Sequence, residues 1–291
     1  MLPRLAILAA ALLFSTGGAA IKASTFGGWQ VACLRSAIAA VAVLALVPTA
    51  RRHVASWRAL LIGVAYAATL VLFVQANKHT TAANSIFLQS TAPLYLLVLA
   101  PTVLKERVER RDLGLMFVLA AGLALFFVGA EPGQPSAPDP FVGNLLGVSS
   151  GLTWAFTLLG LRWLERRGAE PGAGLGGVVV GNLLAAFACL PFAWPLSYGL
   201  FGDWLLILYL GVFQIGAAYA LLTRGFREVP ALEVSLLILV EPALSPVWAW
   251  LFQGERPGAY AAAGGALILA ASVGKAALDR RRPRAPDVEL S

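Results

Sequence analysis

Ten segments of about 20 mostly apolar residues follow one another along the chain, separated by short polar or charged stretches. They are roughly residues 4–21, 29–47, 57–76, 82–104, 112–130, 141–163, 173–195, 203–222, 230–252 and 258–278. A helix of this length spans a hydrocarbon core of about 30 Å. The pattern therefore predicts an all-α integral membrane protein with ten transmembrane helices.

The second half of the chain repeats features of the first half. Residues 82–122 contain a proline, a Glu-Arg pair and a segment of small residues, and these features return at a constant offset. Matched positions are Leu88/Leu237, Pro93/Pro242, Glu106/Glu255, Arg107/Arg256 and Ala121/Ala270. A repeat of this length indicates one folding unit used twice.

The first span also has a partner in the second half. Leu12, Phe14 and Lys22 match Leu152, Trp154 and Arg162 at their own constant offset. The apolar run after Arg4 resembles a cleavable signal peptide as well. The match favours a first span that belongs to the fold.

Five spans in each half is an odd number, so the second half is expected to enter the membrane upside down relative to the first. The predicted units are residues 1–130 and 141–278, joined by a proline-rich outer linker at 131–140 and followed by a basic cytoplasmic tail at 279–291. Inverted repeats are the basis of alternating access in many secondary transporters, with substrate bound near the midplane.

The composition agrees with a protein embedded in lipid. The chain is 59% hydrophobic and 13% charged, whereas a soluble domain carries about 25% charged residues. Of its 22 Lys and Arg residues, only Lys22, Arg35, Lys78 and Arg256 fall on or near the predicted outer side. The positive-inside rule then predicts that both termini are cytoplasmic in a multi-pass protein of the bacterial inner (plasma) membrane. The same placement explains the net charge of +7 without nucleic acid as a partner.

The proline-centred fourth and ninth spans resemble the repeated signature of the drug/metabolite transporter superfamily, in its ten-helix EamA-type members. The positions that carry the resemblance are Pro93, Glu106, Gly114 and Gly122 in the first copy, and Glu241, Pro242, Glu255, Gly264 and Gly265 in the second. Within the superfamily, the chain is similar to bacterial exporters of aromatic amino acids. The resemblance covers nearly the whole chain and implies export of amino acids or related small metabolites.

Glu241 is the most informative single residue. It lies near the predicted middle of the ninth span, where a carboxylate is costly and is by default a functional candidate. One interpretation is proton coupling or binding of a substrate ammonium group. The other is a hydrogen-bonded carboxyl that braces the proline break. The kinks expected at Pro93, Pro242 and Pro246 are likewise either hinges or static bends.

Neutral polar groups surround Pro93 in the fourth span. Gln89, Thr91 and Tyr95 are of the type that orients a zwitterion without a large desolvation cost. Hydrogen bonding between helices is the competing explanation for these side chains.

Three further residues complete the predicted substrate site. Trp154 lies in mid-span, where it stacks on a substrate or faces lipid. Tyr219 lies at a comparable depth in the eighth span. His79 lies at the outer end of the third span, either as part of an outer gate or as a histidine in a wet loop.

No catalytic residue, metal site or cofactor is predicted. The chain has no P-loop, so an ion gradient or the substrate's own gradient is the expected energy source. An intramembrane enzyme would need paired nucleophile and base, or metal ligands, in mid-membrane, and His53 and His79 lie outside that region. A passive facilitator shares every feature except coupling. The expected partners are a small-molecule substrate and the lipid bilayer, for a monomer or a homodimer.

Overall fold

The computed structural model describes residues 2–105, 110–128, 133, 135–167, 170, 172–196, 198–226, 228–229, 234 and 237–279. Several predicted features lie outside these residues: the Glu106-Arg107 turn, the greater part of 230–236 at the start of the ninth span, residues 131, 132 and 134 of the linker, and the tail from residue 280.

The secondary structure of the described residues is helical. The helices are α1 (Leu2–Ser15), α2 (Gly17–Ala23), α3 (Gly28–Leu46), a 3-10 turn (Pro48–His53), α4 (Trp57–His79), α5 (Ala82–Gln89), α6 (Ala92–Val103), α7 (Arg110–Val128), α8 (Pro140–Arg166), α9 (Ala173–Ala193), α10 (Phe201–Tyr209), a π-helical segment (Leu210–Ala217), α11 (Ala218–Phe226), α12 (Val240–Gln253) and α13 (Ala259–Asp279).

Seven helical segments in the described residues are long and apolar enough to cross a membrane. Two shorter apolar helices, Leu113–Val128 and Ala259–Gly274, accompany them. Large apolar side chains such as Phe117, Phe187 and Phe252 are mostly exposed, as a surface in contact with lipid requires. The predicted class, an all-helical membrane protein, is confirmed, and the number of ten crossings stays a prediction.

The fourth predicted span is broken just before Pro93, where α5 ends and α6 begins. Proline has no N–H and leaves an upstream carbonyl without its helical partner. Two hydroxyl groups bond to carbonyls beside the break. Thr91 donates to the Leu88 carbonyl at 2.6 Å, and Ser90 donates to the Ile86 carbonyl at 2.7 Å. The Ser90 and Thr91 side chains therefore satisfy their own hydroxyl groups locally, as polar side chains inside a membrane require.

The ninth predicted span has a turn at the matching position. Leu239, the repeat partner of Ser90, is in a turn, and α12 begins at the next residue. Pro242 lies in the first turn of α12, and Pro246 lies inside the helix. Two repeat-related spans therefore change direction at the same point of the repeat.

Most large helix contacts join one predicted half to the other. Helix α3 packs on α9, α5 on α12, and α7 on α13. The contact of α4 with α8 is matched by that of α1 with α11, and the contact of α8 with α5 and α6 by that of α12 with α1 and α2. Exchanging the two halves maps this set of contacts onto itself.

Glycines allow the closest of these approaches. A Cβ atom on Gly264 of α13 would lie 2.6 Å from the Gly122 carbonyl oxygen of α7 and 2.7 Å from the ring of Phe126. Small residues at such a crossing let two helix backbones pack directly in a membrane. By contrast, a Cβ atom on Gly114, also in α7, would meet nothing within 4 Å.

We expect Gly264→Ala to lower stability by about 1–3 kcal/mol relative to Gly114→Ala, because the added methyl group forces the α7–α13 contact apart. Both substitutions gain the same helix propensity, so the difference reports packing alone. Thermal unfolding of the purified protein in nanodiscs measures it. Equal melting temperatures for the two variants would contradict the close α7–α13 contact.

Candidate functional site

Four aromatic rings from four helices form a continuous series, called here the aromatic chain. Phe14 of α1 meets Tyr219 of α11 at 5.3 Å between ring centroids, and Tyr219 meets Tyr66 of α4 at 5.9 Å, both edge to face. Tyr66 then meets Trp154 of α8 at 6.2 Å. Edge-to-face and tilted contacts at these distances are favourable for aromatic pairs.

The aromatic chain follows the repeat. Phe14 and Trp154 are repeat partners in the first and sixth predicted spans, and Tyr66 and Tyr219 come from the third and eighth. Exchange of the halves therefore maps the chain of rings onto itself, with the Tyr66–Tyr219 contact at its centre. Tyr66 is buried, whereas Phe14, Trp154 and Tyr219 are half-buried and keep part of their surface accessible.

Polar residues of the fourth predicted span lie beside Trp154. The Gln89 amide donates to the Ser150 hydroxyl at 2.8 Å, one helical turn before Trp154, and the Tyr95 hydroxyl lies 3.5 Å from the Val148 carbonyl oxygen. Tyr95 and Trp154 pack on the same apolar cluster. Gln89 and Tyr95 thus lie beside Trp154, and the buried Thr91 hydroxyl, which donates to the Leu88 carbonyl, also interacts with the Tyr95 side chain.

Glu241 lies in the first turn of α12 and is half-buried. Its carboxylate interacts electrostatically with Tyr66 and Tyr219 of the aromatic chain. Among the described residues it has neither a hydrogen-bond donor nor a cation as a partner. The positive end of the α12 dipole favours a negative charge at this position. The structure therefore places Glu241 near Tyr66 and Tyr219 of the aromatic chain.

Arg35 is a second charge inside the protein. It lies seven residues into α3, about 10 Å from the helix start, and is only 2% exposed. Its Nη2 donates to the Leu70 carbonyl of α4 at 3.3 Å, and its Nε has no partner. The charge count assigned Arg35 to the outer side, whereas the structure places its side chain in the interior, within electrostatic reach of Tyr66.

A polar network, called here the Lys22 cluster, closes one end of the helix bundle. The Lys22 Nζ lies 2.9 Å from the Glu255 carboxylate, with side chains only 4% and 2% exposed. The other Glu255 oxygen accepts the Ala82 N–H at 2.9 Å, and Lys22 also donates to the Ser136 carbonyl of the linker. The ion pair therefore ties α2 to the first turn of α5, to the linker and to the loop before α13.

Further bonds extend the Lys22 cluster. Asp203, at the start of α10, accepts from the Thr25 N–H at 2.6 Å and the Thr25 hydroxyl at 2.7 Å. Lys78 at the end of α4 donates to the Ser24 carbonyl at 2.7 Å. These contacts join both halves at one end, the end that the sequence analysis assigned to the outer side.

His79 belongs to this end rather than to the aromatic chain. Its backbone carbonyl accepts the Asp139 N–H at 3.1 Å, and its half-buried ring has an unpartnered Nδ1. A Cβ atom on Gly143 would touch His79 and Thr80. Gly143 precedes Trp154 on α8 by eleven residues, or about 16 Å. The structure thus does not bring His79 together with the other predicted substrate residues.

Three features of these sites were not predicted from the sequence. Phe14 carried a signal, because it is the repeat partner of Trp154. Arg35 also had a signal in the sequence, because an arginine inside a predicted span is a functional candidate by default. The pairing of Lys22 with Glu255 had no sequence signal beyond the charges themselves, since 233 positions separate the two residues.

Comparison with known sequences gives matches over most of the chain. The EamA-like transporter family matches residues 1–128 and 141–274. The threonine/homoserine exporter RhtA of Salmonella typhimurium is 25% identical over 98% of this chain and 95% of its own length. The pseudopaline exporter CntI of Pseudomonas aeruginosa is 27% identical over 92% and 93%. An uncharacterized transporter of Archaeoglobus fulgidus is 29% identical over 78% and 80%.

A solved crystal structure has the same fold. It superposes with a TM-score of 0.62 at 20% identity, over 96% of this chain and 98% of its own. The helix arrangement described above is therefore one that an experimentally determined protein adopts.

We expect Lys22→Met to lower stability by about 3–5 kcal/mol, because it leaves the buried Glu255 carboxylate without its cation. The double variant Lys22→Met/Glu255→Gln should recover part of this loss. Arg162→Met is the control, since Arg162 is the exposed repeat partner of Lys22. The measurement is thermal unfolding in nanodiscs, and a Lys22→Met protein as stable as the Arg162→Met protein would show that the pair is not buried.

Proposed function

This chain belongs to the EamA-like transporter family, and we propose that it is a secondary exporter of amino acids and related small metabolites that works by alternating access. The membership confirms the predicted resemblance to the drug/metabolite transporter superfamily. It also identifies the chain as a multi-pass inner-membrane transporter and not an enzyme.

The observation that carries the proposal is an available carboxylate beside a two-fold chain of aromatic rings. Glu241 is a charge within a membrane helix that no described residue neutralises, and it interacts electrostatically with Tyr66 and Tyr219. Such a group is a substrate or ion site by default. Inverted-repeat transporters bind their substrates at the interface between the two halves, and Tyr66 and Tyr219 come from different halves.

The chemistry of the site favours amino acids. A carboxylate pairs with the ammonium group that every amino acid carries, and half-buried aromatic faces suit an aromatic or large apolar side chain. Two relatives are named as exporters of threonine and homoserine and of pseudopaline. Gln89 and Tyr95 are the neutral polar groups that would orient such a substrate beside Trp154.

Several observations support two inverted units at residues 1–130 and 141–278. The family matches the chain in two segments with similar bounds. The matching turns at Ser90 and Leu239 and the exchange symmetry of the helix contacts agree with the same division. We propose ten crossings with both termini in the cytoplasm, joined through an outer linker at 131–140.

In this orientation the Lys22 cluster is a closed outer gate. It seals one end of the site with a buried ion pair, while Glu241 and three of the four aromatic rings remain half-buried. Export then requires the Lys22–Glu255 pair to separate and the opposite end to close. The turns at Pro93 and Pro242 are the proposed hinges, because the backbone hydrogen bonds of the helix are already interrupted there and need not break when the helix bends. Pro246 adds a second missing hydrogen bond in α12. His79 lies with the gate.

We expect Trp154→Ala to weaken export of phenylalanine about tenfold in apparent affinity, because the stacking contact of the indole is lost. Efflux of labelled phenylalanine and threonine from proteoliposomes measures this. Trp194→Ala is the matched control, since Trp194 is 70% exposed. Saturable efflux that responds equally to both substitutions would exclude the aromatic chain as the substrate site, and absence of amino-acid efflux would exclude the proposed substrate class.

We expect Glu241→Gln to abolish stimulation of efflux by an imposed pH gradient, because glutamine cannot exchange a substrate ammonium group for a proton. Exchange of labelled for unlabelled amino acid should continue at reduced affinity. The control is Glu170→Gln, whose carboxylate is 76% exposed. Stimulation that persists undiminished in Glu241→Gln would place the coupling elsewhere.

A further inference from the structure

We infer that Arg35 is a substrate-binding residue that receives the carboxylate of a zwitterionic substrate, opposite the ammonium site at Glu241. This inference rests on the proposed function. It assigns a role to a residue that is distant in sequence from every other member of the site.

The hydrogen bonding of Arg35 is incomplete. A guanidinium group has five N–H donors, and it stays charged in proteins. In this structure the group makes one hydrogen bond, to the Leu70 carbonyl, while its buried Nε has no partner. The groups that interact with it electrostatically are Tyr66 and Cys189, which are neutral side chains. No carboxylate of the described residues compensates the charge.

An uncompensated buried charge is costly, because the low-dielectric interior does not replace the lost hydration. An apolar residue would tie α3 to its neighbours at lower cost. The contrast with Lys22 is informative, because that buried cation has Glu255 at 2.9 Å. The surroundings of Arg35 therefore suit an anion that arrives from outside the protein.

Tyr66 links this charge to the site. Its side chain interacts electrostatically with both Arg35 and Glu241. Arg35 donates to the carbonyl of Leu70, which lies one helical turn after Tyr66 on α4. A guanidinium that can bind an anion and a carboxylate that can bind a cation thus lie near the same tyrosine. A substrate that carries both charges matches this arrangement, with its carboxylate toward Arg35 and its ammonium toward Glu241.

Neutral groups are also available at the Arg35 end. Asn182 of α9 lies beside Tyr66, and its buried Oδ1 has no partner. The free Nε of Arg35 can bind a ligand oxygen without loss of the bond to Leu70. The α3 backbone at Arg35 packs directly on Gly211 of the π-helical segment, and π-helical turns are frequent at functional sites.

A purely structural role for Arg35 makes a different prediction. If the side chain only ties α3 to α4 through Leu70, its replacement lowers stability and weakens every ligand by the same factor. A carboxylate-binding role changes the ratio between ligands that have a carboxylate and ligands that lack one. The test therefore measures ratios.

The probes are L-phenylalanine, L-phenylalaninamide, which lacks the carboxylate, and 3-phenylpropionate, which lacks the ammonium group. Their dissociation constants are measured by titration calorimetry on the purified full chain in nanodiscs. Because a hydrogen bond to a charged group contributes about 1.5–3 kcal/mol, wild type should bind phenylalanine about 10- to 100-fold more tightly than the amide.

In Arg35→Gln this preference over the amide should disappear, while the preference for phenylalanine over 3-phenylpropionate stays. Glu241→Gln should show the opposite pattern, and Arg35→Lys should restore part of the preference over the amide. This crossed pattern supports the inference. Equal weakening of all three ligands in Arg35→Gln would overturn it and leave the structural role.

The wild-type ratios decide the question even if Arg35→Gln does not fold. Equal affinity of wild type for phenylalanine and its amide would overturn the role of Arg35 and leave the proposed export function standing. Binding of none of the three probes, nor of L-threonine, would contradict the amino-acid substrate itself and the inference with it.

Discussion

A charge inside a membrane protein needs a partner, and this constraint separates the paired charges of this chain from those for which we propose a function. Lys22 and Glu255 neutralise each other in a buried contact and tie four parts of the fold together. Arg35 and Glu241 lie nearer the centre and have no such partner among the described residues. The desolvation cost of Arg35 is offset when a ligand supplies a negative charge, and that of Glu241 is removed either by a ligand cation or by a proton.

The helix contacts of the two halves are related by a two-fold exchange. A substrate has no such symmetry, and the charged residues of the proposed site differ between the two halves. The repeat partner of Glu241 is Ala92, which is buried where Glu241 is half-buried. The aromatic chain keeps the symmetry, since stacking faces accept many orientations. The charges of Glu241 and Arg35 depart from the symmetry, because the proposed site must distinguish the carboxylate of a substrate from its ammonium group. In the proposed mechanism, the symmetric part of the structure supplies the alternation between states and the asymmetric part supplies recognition of the substrate.

The fold was largely predictable because lipid restricts the backbone to helices of known length. The apolar runs located nearly every described helix to within a few residues, and the repeat located the turns before Pro93 and Pro242. Helix rotation was not predictable, because every face of such helices is apolar. For that reason Arg35 was counted with the outer charges although its side chain lies inside.

Residue type alone did not distinguish His79 from Trp154 as candidate substrate residues. Both are uncommon side chains within or beside a span, but they lie at different depths in the membrane protein. His79 packs against the first turn of α8, whereas Trp154 lies about 16 Å further along that helix. Depth along a helix follows from residue count, whereas the partner at that depth follows only from packing.

The energetics of the Lys22–Glu255 pair suit a gate that must open. Burial of both charges costs nearly as much as their attraction returns, so an intact buried pair adds little net stability. Separation into water restores the hydration of both groups together, unlike the removal of one partner by substitution. The closed and open states can then differ by only a few kcal/mol, a difference that binding of one substrate at Glu241 is able to reverse. A strongly apolar seal at the same place would lack this balance, because its exposure to water has no compensating gain.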